Sequence, residues 1–281
     1  MTMTETTIVN RGGSFTRRVT MMIEKWLMLP SMEIILVTTA CFGFAAALLC
    51  WFSFSEKSRE RVLFFRGVTP AFFGSVVPIL GILIGFLSND VWDSNKKAAD
   101  IVREEAAELT SLYGLVAVSD LPYVEISRAI RAYVSAVVEK EWPAMTQGQA
   151  AAEAEIAQDN LIRIASTGCA GASGGKCDNP LADIAMKLRE TRSNRLKLST
   201  DNTETIKWAS VICLTLIAQI SVASVHLEKR GPQIAALAIF TSAMIVLLSL
   251  IALHELPFAP PLVVKPTPLS DVLTIVPESA S

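Results

Sequence analysis

The stretch VTPAFFGSVVPILGILIGFLSND, from Val68 to Asp90, decides the fold. It carries no charge before Asp90, yet it holds Pro70, Gly74, Pro78, Gly81 and Gly85. In water, that many breakers would leave a helix marginal. In a bilayer the backbone must satisfy its own hydrogen bonds, and a helix is kept despite them. From Val68 to Ser88 the run has the length needed to cross a hydrocarbon core of about 30 Å at about 1.5 Å per residue.

Three more runs of this kind follow from the same reading: Ile34–Phe54, Trp208–Leu227 and Ile234–Leu253, none with Asp, Glu, Lys or Arg. The 281 residues are 51% hydrophobic and only 19% charged, against about 25% charged in ordinary soluble domains. Mean hydropathy is +0.43. The composition predicts an all-α polytopic membrane protein. Its four transmembrane helices form two hairpins, with a helical extramembrane bundle inserted between them.

The expected organisation is an N-terminal segment (1–33), a first hairpin (34–88), an extramembrane domain (89–206), a second hairpin (207–254) and a proline-rich tail (255–281). VTMMIEKWLML, Val19–Leu29, fits a helix lying flat on the membrane, and no small-residue cleavage site follows a compact apolar core there. Short loops join the members of each hairpin, so the N-terminus, residues 89–206 and the tail share one side. Lys and Arg near the span ends number 13 on that side against 6 in the two loops. The positive-inside rule then places residues 89–206 in the cytoplasm and the chain in the inner membrane. Cys169 and Cys177 flank AGASGGK; they could close a small disulfide in an oxidising compartment or remain two thiols in a cytoplasmic loop.

The inserted domain reads as helix throughout. Ala98, Val102, Ala106, Leu109, Tyr113 and Val116 form one apolar stripe, with no breaker between Ser88 and Gly114. The second span should therefore run on as one helix to Ala117, about 75 Å in all. Asp120 and Pro122 signal a new start, and Ile126, Ile130, Tyr133, Val137 and Val138 carry the next stripe to Trp142–Pro143. QAAAEAEIAQDNLIRIAS is a third helix, and Asp178–Asn179–Pro180 opens a fourth. On the first and last of these, Glu104 and Arg192 stand at equal heights above the membrane, as do Glu108 and Arg189. Such pairs would hold register while adding only about 0.2–1 kcal/mol each. The tail ELPFAPPLVVKPTPLSDVL is expected to be extended and to lie along the bundle or a neighbouring subunit.

Chemistry for catalysis is sparse. The two histidines, His226 and His254, have no second ligand at metal spacing, so neither metal nor cofactor is expected. Residues 89–206 hold 18 acidic against 13 basic side chains, which excludes a nucleic-acid surface. No phosphate loop or nucleophile elbow occurs. The chain is not expected to be an enzyme.

On the second span Gly74, Pro78, Gly81, Gly85 and Ser88 repeat at helical spacing, and small faces let helices approach. Gly74, Gly81 and Gly85 are thus helix-packing candidates, with the Gln219 amide seeking a partner on another helix. Opposite them Phe72, Val76, Ile79, Leu83 and Phe86 form a bulky stripe. Around a symmetry axis, Val76, Ile79, Leu83 and Phe86 would make a hydrophobic neck that gates by dewetting. Asp90 and Asp93 would stand at its mouth and favour cations.

GILIGFLSNDVWDSNKKAADIVREEAAELTSLYGL, AYVSAVVEKEWPAM (residues 132–145) and HELPFAPPLVVKPTPL carry a resemblance. Glu141-Trp142-Pro143-x-Met145 and Pro257-Phe258 are its most specific parts, and Ala259-Pro260-Pro261 departs from the usual pattern. The chain resembles the bestrophin-like family of bacterial membrane proteins, and more distantly the bestrophin channels. That likeness implies a pentamer with the second span lining a pore for inorganic ions. The alternative is a non-conducting scaffold or sensor in the lipid bilayer, whose helical domain docks a partner.

Overall fold

The computed structural model describes residues 17–55, 69–118, 123–167, 179–200, 205–225, 227, 229–260 and 263–277. The helix signal at Asp120–Pro122, Cys169, Cys177, Asp178 and His226 lie outside these residues. All secondary structure among the described residues is helical. The chain divides into two compact units, Met1–Trp92 with Asn202–Glu255, and Asp93–Asp201 with Leu256–Ser281.

The first unit holds α1 (residues 17–27), α2 (Ser31–Phe54), the start of α3 (Thr69–Val118), α8 (Thr205–Val225) and α9 (Arg230–Leu253). Four helices are long and apolar enough to cross a membrane. Helix α9 packs on both α2 and α8, and amides tie these spans together. The buried Gln219 donates from Nε2 to the Phe42 carbonyl at 3.2 Å and to Thr241 Oγ1 at 2.9 Å. Gln233, which sequence reasoning passed over, does the same with Ser53 Oγ at 3.1 Å and the Ala223 carbonyl at 2.7 Å. In hydrocarbon an amide without a partner is costly, so these bonds set which helix faces meet. Helix α1 joins this core rather than lying apart: Ile23 and Leu27 are buried, and Trp26 meets Trp208 edge-on at 5.2 Å.

Helix α3 is continuous for 50 residues, with Pro78 inside it, so the second span does run on into the extramembrane domain. Its stripe from Ala98 to Val116 is buried as the spacing demands, with Tyr113 packed at the edge and Leu112 added. The second unit continues with α4 (Tyr123–Ala136), a π-helical turn (Val137–Glu141), α5 (Trp142–Met145), α6 (Ala152–Ala165), α7 (Pro180–Thr200) and α10 (Thr267–Ile275). Asn179 opens α7: its Oδ1 accepts from the Leu181 N–H at 3.1 Å, and its Nδ2 donates to the Ala165 carbonyl at 2.9 Å. The π turn sits just before Pro143. Proline has no N–H to offer Glu139, so the ladder slips by one residue, and the Trp142 N–H reaches Val137 instead.

The tail differs from the extended strap expected from its prolines. Pro266 is the N-cap of α10, and Pro268 lies in the first turn, where a missing N–H costs nothing. Leu269, Val272 and Val276 then complete the core of this unit. Arg131 Nη1 donates to the carbonyls of Leu273 at 2.9 Å and Val276 at 2.7 Å, placing a cation at the helix C-terminus. By contact, the second unit is residues 93–201 together with 256–281.

Candidate functional site

Two places concentrate the chemistry: the outward arc of α3 in the membrane unit, and a buried charge network in the second unit.

On α3 the side chains that pack inside the chain are Val76, Leu80, Ile84, Leu87 and Val91. This divides the bulky stripe read from the sequence. Val76 is buried, and Leu83 packs partly against the same core. Neither faces outward, so a Leu83 truncation would disturb packing before it changed any pore. Ile79 and Phe86 do face out, at 55% and 64% exposure, and Ile82 joins them at 61%. Because α3 advances about 100° per residue, the exposed arc lies one flank away from the stripe expected from the sequence and takes in Ile82. The expected packing glycines also fall on this arc. A Cβ added to Gly74, Gly81 or Gly85 would meet nothing within 4 Å. Among the described residues these glycines pack against no other helix.

The two aspartates expected at a pore mouth are both paired. Asp90 accepts from Lys207 Nζ at 2.7 Å, and Asp93 pairs with Lys97 at 2.7 Å. Each carboxylate therefore has an opposite charge beside it, and the preference for cations expected from two bare aspartates does not follow. Near this level Trp92 and His254 stack with centroids 5.2 Å apart, and Trp208 Nε1 donates to the buried Glu255 at 3.2 Å. Among the described residues no group of three metal-ligating side chains occurs.

The second unit buries four formal charges around the Glu-Trp-Pro-x-Met motif. Arg195, fully buried on α7, donates Nε to Glu105 Oε2 at 2.6 Å and Nη2 to Glu141 Oε1 at 2.8 Å. Its Nη1 lies 2.7 Å from Met145 Sδ, and its guanidinium stands 5.4 Å over the Trp142 ring. Arg192, one turn earlier, forks onto the Glu141 carboxylate and gives Nη1 to Gln158 Oε1 at 3.2 Å. The Tyr133 hydroxyl closes the set on Glu105 Oε1 at 2.5 Å. Trp142 meets Phe258 edge-on at 5.7 Å, so the two most specific motifs of the chain touch each other here.

The helices bearing Glu104–Glu108 and Arg189–Arg195 do run side by side, but the matched heights named the wrong partners. Lys187 takes Glu104 at 3.1 Å and Glu108 at 3.5 Å, while Arg189 takes Asp159 at 3.3 Å. Arg192 goes to Glu141 and Arg195 to Glu105. Two of the pairs are buried, which rise alone could not show. A cavity of about 410 Å³ opens beside the network, lined by Gln158, Arg189, Arg192, Ser193 and Lys197 among others.

Protonation in this network follows its geometry. Burial alone would raise the Glu141 carboxyl, but hydrogen bonds from Arg192 and the charges of both arginines outweigh it and hold it below its ordinary value. Burial, then the Glu105 charge, pushes the Tyr133 hydroxyl well up. Burial also raises Glu108, which Thr191 and Lys187 only partly offset; its Oε2 has no partner. The two acids act with opposite sign. Glu141 contributes stability above the ordinary carboxylate pKa, and it is lost as pH falls through the lowered folded value. Glu108 contributes stability below the ordinary value, and it is lost as pH rises through the raised one. Circular-dichroism melts should show Glu141→Gln flattening the acid side of the stability profile. Glu108→Gln should remove a loss seen on the way to neutrality. A steeper acid limb in Glu141→Gln would contradict the assignment.

Four apolar spans and a helical unit closed around paired arginines and carboxylates define an all-α polytopic membrane protein. A family model described as the bestrophin-like domain matches residues 40–269. The chain belongs to the bestrophin-like family. No curated protein and no solved structure matches it.

Proposed function

We propose that this protein is a homo-oligomeric ion channel of the inner membrane, with α3 lining the pore and residues 89–206 in the cytoplasm. The observation that carries the reading is the open glycine flank of α3. Small residues in spans serve close helix approach, and Gly74, Gly81 and Gly85 have open space where a neighbour would pack. A second copy supplies that neighbour. Ile79, Ile82 and Phe86, adjacent on the same arc, then turn toward the axis as a dewetting neck. Family membership supports conduction, and five copies follow by analogy with bestrophins. The protein has no catalytic role in this reading.

The test is size measurement in detergent followed by current recording in planar bilayers. A monomer, or an oligomer silent under all gradients, would end the channel reading. Selectivity has its own check. Lys207→Ala leaves Asp90 uncompensated, so the reversal potential in a potassium chloride gradient should move toward the potassium equilibrium value. No shift would remove Asp90 from the mouth. Sidedness is checked at Cys169 and Cys177, which should react with an impermeant thiol reagent only after permeabilisation.

A scaffold or sensor is the second reading. It is favoured by the apolar character of the outward arc, where Ser75 is the one polar side chain between Gly74 and Phe86. An intact oligomer without conductance would select it.

A further inference from the structure

The cavity of about 410 Å³ beside the charge network lies wholly within the second unit. Its volume falls within the roughly 300–1,000 Å³ of small-molecule sites. One stripe of α7 supplies most of its lining: Arg189, Ser193 and Lys197 follow at i, i+4 and i+8, with Arg192 beside them. Glu155 and Gln158 come from α6.

The lining is rich in donors and cations. Arg192, with only 8% of its side chain exposed, spends three of its five N–H groups on Glu141 and Gln158. The other two have no partner among the described residues. Glu141 is fully buried and does not line the cavity, so an anion entering there meets Arg192 without meeting its counter-charge. Lys197 is exposed and makes no ion pair among the described residues. Arg189 pairs with Asp159 at 3.3 Å, but both side chains are half-exposed, and such a pair is weak enough to exchange for a better anion. Against these three cations the lining carries one carboxylate, Glu155, and its apolar members are only Ala150 and Leu196. A cation or an apolar molecule would find little to bind.

Among anions, phosphate suits the geometry best. Its oxygens point to several sides, so one group can accept from a guanidinium, an ammonium and a hydroxyl together. The two oxygens of a carboxylate lie in one plane and serve fewer donors. We propose that this cavity binds a small phosphate-bearing anion from the aqueous phase, held by Arg192, Ser193 and Lys197. The site is independent of whether the protein conducts.

The test uses the full chain in detergent with inorganic phosphate as the probe, at ionic strength held constant with chloride. Equilibrium dialysis with radiolabelled phosphate should show saturable uptake of one phosphate per chain. The melting temperature should rise by about 5 °C once phosphate exceeds its dissociation constant on the order of 100-fold. Lys197→Gln, exposed and outside the buried network, should weaken uptake about tenfold. Ser193→Phe should fill the cavity and abolish it. Lys265→Gln alters an equally exposed lysine that does not line the cavity, and it should bind as the unaltered chain does. Uptake that never saturates overturns the proposal. So does an equal loss in Lys265→Gln and Lys197→Gln, which would show counter-ion screening alone. Malonate displacing phosphate at equal concentration would overturn the assignment to phosphate.

Discussion

Arg195→Ala should destabilise the extramembrane unit by about 3–5 kcal/mol, the cost of stripping one partner from a buried ion pair. The reason is geometric. One guanidinium serves Glu105 and Glu141 together, at 2.6 and 2.8 Å, in a place with no solvent exposure. Its removal leaves two carboxylates facing one another across a cavity, with only Arg192 and Tyr133 nearby. Against a total stability of about 5–15 kcal/mol this is a large fraction, and the melting transition should fall by on the order of 10–20 °C. Arg195→Lys should recover little, because a single ammonium cannot fork onto two carboxylates. Glu105→Gln with Arg195→Met should recover much of the loss. It removes charge in a balanced pair and keeps an acceptor for Tyr133. Thermal melts followed by circular dichroism and protease resistance measure this directly. A double variant no better than Arg195→Ala would show that the arginine acts through packing on Trp142.

Gly85→Leu should abolish assembly while leaving the protomer intact. A Cβ at this position meets nothing within 4 Å in its own chain, so the substitution starts into open space. Between copies the same side chain separates helices that small residues let approach, and overpacking costs about 1–3 kcal/mol at each contact. In a closed ring that cost repeats at every interface. Size-exclusion with light scattering should show monomers of unchanged helicity, and bilayer currents should vanish. An oligomer of normal size would mean that the glycine flank faces lipid, and α3 would lose its assignment as the pore helix. Phe86→Ala, on the bulky flank, should instead preserve assembly and raise basal current.

Much of this molecule was legible from the sequence, for a physical reason. A span is specified by length and the absence of charge, and an amphipathic helix by its period; both are local properties. Hence the four spans, the unbroken α3 and the stripes Ala98–Val116 and Ile126–Val137 could be read directly. Which arc of α3 faces its own core was not legible, since every residue from Val68 to Ser88 is apolar or small. Hydropathy gives no contrast there, and only burial separates Val76 and Leu83 from Ile79 and Phe86. The tail shows a similar limit. Five prolines argue against helix until one of them takes the first turn, as Pro268 does in α10.

The sequence alone determined a four-span helical membrane protein with a helical insertion, because spans and stripes answer to water and lipid residue by residue. Only the tertiary structure decided which charges meet. Glu105, Glu141, Arg192 and Arg195 come from three separate helical segments, and the π turn before Pro143 sets how Glu141 enters the core. Pairing at that range depends on side-chain direction and burial across 51 to 90 residues of chain. Helical rise supplies the height of each charge but not the face on which it points.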